Sequence, residues 1–123
     1  MRGWYARAVG DRNTLETAPA TTVLVVGGPA YLVERTKVAA RTVPMANVAS
    51  CELRDAPTRV AELWPFAIIM SEDLYAFDAA EFDALARDVS ARLITVQVLS
   101  PTQISDDQAL GPKILEAFKR RLA

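Results

Sequence analysis

From Thr22 onward the chain repeats one unit four times: a short apolar run, then a stretch whose apolar residues recur at helical spacing. This is the alternation of βα units. It restricts the chain to the α/β class with a parallel sheet, because strands separated by helix-length segments are joined by crossovers rather than hairpins. Strands are expected at 22–27 (TVLVVG), 47–53 (NVASCEL), 66–71 (FAIIMS) and 92–98 (RLITVQV), with helices near 29–43, 57–64, 78–90 and 111–122. Pro29, Pro57 and Pro112 each fall where a first-turn proline sacrifices no hydrogen bond. Asp78 followed three residues later by Glu81 has capping-box spacing, and Phe82, Leu85, Ala86 and Val89 then recur along one helical face. In the last helix Ile114, Leu115, Phe118 and Leu122 form the expected buried stripe, and Lys119, Arg120 and Arg121 stand where the helix dipole favours cations.

The texture of the strands orders them. Parallel strands covered on both faces read as continuous apolar runs, as the first and third do, whereas less covered strands alternate. The second alternates Ala49, Cys51 and Leu53 with Ser50 and Glu52; the fourth alternates Ile94, Val96 and Val98 with Thr95 and Gln97. The second and fourth strands are therefore the edges. The expected fold is a single flavodoxin-like α/β domain with sheet order 2-1-3-4, right-handed crossovers and helices on both faces. Its topological switch point lies between strands one and three. Residues 1–21 lack this periodicity and read as an N-terminal arm to the domain at 22–123. Trp4 and Tyr5 are large enough to need cover, so the arm is expected to pack on the domain or a partner, as a strand added beside strand two or strand four.

Composition excludes several chemistries. The 123 residues contain no histidine, which removes Ser-His-Asp and Cys-His catalysis and every histidine metal ligand. Cys51 is the only cysteine, so neither an intrachain disulfide nor a thiolate zinc cage is expected, and a reducing, cytoplasmic setting fits. Fourteen basic against fifteen acidic residues imply no general affinity for nucleic acid. The longest uncharged run, Thr17 to Val33, is broken by Pro19, Gly27, Gly28 and Pro29, so no membrane span or signal peptide is expected.

Chemistry in such a fold belongs at the carboxyl ends of the strands, here Gly27 and Gly28, then Ser71, Glu72 and Asp73, then Ser100 and Thr102. The stretch LWPFAIIMSEDLYAFD resembles the third strand of response-regulator receiver domains, in which a proline, an aliphatic strand and a phospho-accepting aspartate follow in that order. Ser71 stands in the aspartate's place. The resemblance covers residues 22 to 100 and rests on spacing and texture. Where the family holds magnesium with paired acidic residues, this chain reads Gly27-Gly28-Pro29; the family's strand-four hydroxyl corresponds to Gln97 or nearby Ser100, and its lysine has no secure counterpart. The resemblance thus implies a degenerate pseudo-receiver without phosphotransfer, metal or cofactor. Its expected role is that of a non-catalytic protein–protein interaction module in bacterial cytoplasmic signalling or cell organisation.

Other features invite a functional reading beside a plain one. Gly27-Gly28-Pro29 is a tight strand-to-helix turn or an anion-binding one; the first is preferred because neither G-x-G-x-x-G nor a P-loop lysine is present. Glu72 and Asp73 suit a hard cation, but adjacent extended residues diverge, so a solvated loop is preferred. Cys51, Trp64 and Phe66 read as core, while Tyr75 and Phe77, on the loop after strand three, are core lids or partner contacts. Between residues 72 and 88, Glu72, Asp73, Asp78, Glu81, Asp83 and Asp88 stand against Arg87 alone, a balance of 1 minus 6, or -5. With Tyr75 and Phe77 as apolar anchors, these acids form the expected binding face for a protein with a basic surface. Phe82, Leu85 and Val89 should turn inward, leaving Glu81, Asp83 and Asp88 outward. Self-association through a sheet edge is a further route, whereas nucleic acid and membrane are not expected partners. The alternative function is a small ligand-binding protein or enzyme holding a phosphate-bearing molecule at Gly27, Gly28, Ser71 and Ser100.

Overall fold

The computed structural model describes residues 21–100, 103–104 and 110–122. The arm with Trp4 and Tyr5 lies outside them, as do Thr102 and the hydroxyl of Ser100. Four parallel strands, β1 (Thr22–Val26), β2 (Asn47–Cys51), β3 (Ala67–Ser71) and β4 (Arg92–Val96), form one sheet in the order β2-β1-β3-β4. This is the order that strand texture predicts. The central strand β1 is buried along its whole length and β3 along all but its last residue, whereas β2 is exposed or half-buried throughout.

The pleat divides the core in two. Val23, Val25, Ala67, Ile69, Ile94 and Val96 point to one face, where helix α1 (Ala30–Ala39) contributes Leu32 and helix α5 (Leu110–Leu122) contributes Leu110, Ile114 and Ala117. Leu24, Val26, Ile68 and Met70 point to the other, against Ala56 and Val60 of α2 (Ala56–Leu63) and Phe82 and Ala86 of α4 (Ala79–Asp88). Each large aliphatic side chain so buried contributes about 1.5–3 kcal/mol. The result is a three-layer α/β/α sandwich of the flavodoxin-like kind.

Several boundaries differ from expectation. β2 ends at Cys51, because Leu53–Asp55 turns into a 3-10 segment leading to α2. After β4 no further strand joins the parallel sheet among the described residues: the chain forms a separate antiparallel pair, β5 (Val98–Ser100) with β6 (Gln103–Ile104), and β6 lies against α1. Helix α5 lies along the amino end of the sheet. It packs against the 3-10 turn Ala40–Thr42 that ends α1, and its last turn reaches the segments leading into β3 and β4. Leu122 is 66% exposed and so is not part of the buried stripe.

Arg121 is no ordinary solvated tip. Its guanidinium donates to the carbonyls of Trp64, Pro65, Val89 and Ser90, at 3.5, 2.9, 2.8 and 3.4 Å, fastening the last turn of α5 to the ends of α2 and α4. Beside it Phe66 is buried edge-on to Phe118, with ring centroids 5.6 Å apart. Trp64, expected in the core, is instead the left-handed cap of α2 (φ 45°, ψ 57°), which turns its ring outward to 54% exposure.

Candidate functional site

Gly27 closes β1 in the left-handed region, φ 66°, and its N–H donates to the Cys51 carbonyl at 2.8 Å, tying the turn to β2. The left-handed backbone favours glycine there. A Cβ at Gly27 would lie 2.7 Å from Leu74 Cδ2, so the leucine covers the place where the receiver resemblance puts a metal-binding carboxylate. At Gly28 a Cβ would meet Leu32 Cδ2 at 2.6 Å, so the turn is packed directly on the core. Pro29 is the residue preceding α1, with extended backbone, rather than its first helical residue.

Leu74 reaches this position because residues 72–77, expected as a loop, form a helix, α3 (Glu72–Phe77). Ser71 caps it: its Oγ accepts from the Leu74 N–H at 3.1 Å, and Glu72 and Asp73 fill the first turn, where the helix dipole favours negative charge. The serine that the resemblance puts in the phospho-acceptor's place therefore serves a structural hydrogen bond. A serine followed by two acids is a readable helix start, but here it coincides with a strand end. The expected capping box at Asp78 does not form; Asp78 is the bend between α3 and α4 (φ -154°, ψ 63°), and its carbonyl, not its side chain, accepts from Glu81 and Phe82.

With the switch point covered, the open cleft at the carboxyl end is displaced to the β1–β2 side. It measures about 680 Å³ and is lined by Gly27, Ser50, Cys51, Glu52, Asp55 and Arg59, among others. Its charge is unsuited to phosphate: Arg59 is held by Glu62 at 2.8 Å, Glu52 carries Arg54 at 3.1 Å, and Asp55 adds a further carboxylate. Burial pushes the Cys51 thiol up, outweighing the lowering by Arg59, and Asp55 pushes the same way as burial. A raised thiol carries little thiolate at neutral pH, so Cys51 is expected to alkylate with iodoacetamide more slowly than free cysteine, as measured by intact mass against time. Among the described residues no group of three or more Cys, Asp or Glu is arranged to hold a metal ion. Nucleotides, flavin and magnesium are expected to give no saturable rise in melting temperature, and acetyl phosphate with magnesium no added phosphoryl mass.

The acidic face is partly assembled. Glu72, Asp73, Asp78, Glu81, Asp83 and Asp88 are all exposed, and α4 turns Phe82, Ala86 and Val89 inward with Leu85 half-buried. Glu72, Asp73, Asp78 and Glu81 share the carboxyl end of the sheet with the α3–α4 bend. Asp88 does not join them, because seven residues of helix carry it roughly 10 Å toward the other end. Asp83 is engaged: the Tyr75 hydroxyl donates to its carboxylate, 2.9 Å from Oδ1 and 3.1 Å from Oδ2. That hydrogen bond raises the Tyr75 phenol above its ordinary value, with desolvation and the carboxylate's charge adding to it. Tyr75 also lies beside Phe82, ring centroids 6.5 Å apart, so it joins α3 to α4. Phe77, 81% exposed, is the unheld aromatic of the pair.

One cluster was not visible in the sequence. At the amino end of the sheet Arg87, Ser90, Arg92, Arg120 and Arg121 line a second open cleft of about 580 Å³. These residues come from α4, the segment before β4, β4 itself and α5, so no local motif announces them. Among the described residues no helix is long and apolar enough to cross a membrane. Comparison with protein-family models, curated proteins and solved structures returned no match.

Proposed function

We propose that this chain is a non-catalytic, pseudo-receiver-like interaction module, acting in signalling or cell organisation by binding a basic protein surface through α3 and the start of α4, at the carboxyl end of the sheet. The observation that carries this reading is the covered switch point. Leu74 occupies the space over Gly27 where the resemblance puts a metal-binding carboxylate, and Ser71, in the place of the phospho-accepting aspartate, caps α3. What the same loop and helix do offer is Phe77, 81% exposed, among Glu72, Asp73, Asp78 and Glu81. An exposed aromatic inside a charged rim suits protein recognition, since charge speeds encounter while a buried aromatic supplies affinity.

The test uses the full chain as bait in its native host, with Glu72 and Glu81 reversed to lysine. The reversals are expected to lose a salt-sensitive partner while circular dichroism and melting stay nearly unchanged. Glu34→Lys, on α1 and paired with Lys37 at 3.3 Å, is the control. Greater loss from the Glu34 change than from the α3–α4 changes would refute the choice of face.

A further inference from the structure

All four strands run in one direction, so the sheet has two unlike ends: an acidic cluster marks one and an arginine cluster the other, apart from Asp88 at the amino end and the paired Arg54 and Arg59 at the carboxyl end. At the carboxyl end Glu72, Asp73, Asp78 and Glu81 lie within five positions of the exposed Phe77. At the amino end Arg87 in the last turn of α4, Arg92 opening β4 and Arg120 ending α5 line one cleft. Arg121 is absorbed by four carbonyls, but Arg87, Arg92 and Arg120 meet no carboxylate among the described residues. Helix dipoles explain cations at helix ends, yet Arg92 belongs to a strand.

The amino end is also where apolar surface gathers. Met45 before β2, Trp64 before β3 and Leu122 at the end of α5 are 89%, 54% and 66% exposed, and each adjoins the segments that lead into the strands. Tryptophan and arginine together are the composition of interface hot spots. The carboxyl end presents the counterpart in both respects, carboxylates for the guanidiniums and Phe77 for the apolar surface around Trp64.

We propose that the chain assembles head to tail with further copies of itself, the acidic carboxyl end around Phe77 of one copy seated on the arginine-rich amino end around Trp64 of the next. This names the partner of the acidic face and rests on the interaction-module reading. Because the two surfaces lie at opposite ends of one axis, the contact is heterologous and propagates into a chain rather than closing as a two-fold dimer. The unpaired backbone of the edge strands takes no part in it, β4 contributing only the Arg92 side chain, which separates this assembly from pairing through a sheet edge.

Sedimentation velocity of the full chain over a dilution series, at low and high salt, tests the proposal. Mass is expected to rise with concentration at low salt and to fall toward the monomer at high salt. Reversing Glu72 and Glu81 to lysine, or Arg92 and Arg120 to glutamate, should each weaken association by roughly tenfold or more, as like charges then face each other. An equimolar mixture of the two variants should associate again, because the intact basic end of one meets the intact acidic end of the other. Phe77→Ser should weaken association at both salt concentrations. A wild-type chain that stays monomeric throughout at low salt overturns the proposal, as does a mixture no more associated than its components. In either case, loss of a host partner on reversing Glu72 and Glu81 leaves the interaction-module reading standing, whereas an unaltered set of host partners removes both.

Discussion

Replacing Arg121 by methionine is expected to lower stability by about 3 kcal/mol, more than any other single charge removal in the described residues. The guanidinium binds carbonyls from two separate chain segments, Trp64 and Pro65 on one side and Val89 and Ser90 on the other. Methionine keeps the apolar stem but leaves those carbonyls without a donor, and hydrogen bonds to a charged donor are worth roughly twice neutral ones. The loss stays below the sum of the contacts, because the Arg121 Nε is sealed in without a partner and its removal refunds part of that cost. Thermal unfolding should show a fall of roughly 10 °C for a domain of this size. Arg121→Lys should recover only part of it, since an ammonium cannot span both segments as a planar fork does. Arg120→Met, one residue away and exposed, should change stability by no more than about 0.5 kcal/mol.

Gly27→Val should cost a similar amount, about 3 kcal/mol, for a different reason. The left-handed conformation at φ 66° costs an ordinary residue about 1–2 kcal/mol and is worse for a β-branched one. The added side chain also meets Leu74 Cδ2 where a Cβ would sit only 2.7 Å away. The two contributions can be separated by denaturant unfolding. Gly27→Ala combined with Leu74→Ala should be less destabilising than the two single changes added together, because removing the leucine relieves the clash while leaving the backbone strain. Strict additivity would mean that Leu74 does not cover the turn.

The fold was legible because it is written in the strands. The unbroken apolar runs of β1 and β3 against the alternation in β2 and β4 sufficed for the order of the sheet, since two-sided burial leaves no room for polar residues. The site was less legible, for local reasons. Ser71 ends a strand and caps a helix in the same position, so α3 and the placement of Leu74 were hidden behind a strand terminus. Trp64 reads as core by its type, but a left-handed helix cap turned it outward, a backbone effect that apolar patterning does not register. The six acids of the 72–88 segment looked like one face. Helical rise separates Asp88 from the rest, and Tyr75 engages Asp83. The arginine cleft joins residues up to 34 positions apart, Arg87 to Arg121, and only the folded chain brings them together.

The position of α5 bears on the order in which the core can close. The side of the sheet that carries Val23, Val25, Ile69 and Ile94 is closed by Leu32 of α1 together with Leu110, Ile114 and Ala117 of α5. The Arg121 contacts span 31 to 57 positions of sequence. Those contacts tie α5 to the segments that lead into β3 and β4, so this side of the core is completed only when α5 docks. Before it docks, part of the aliphatic surface is bare and open to chaperones or neighbouring chains, and cooperative folding waits on long-range contacts.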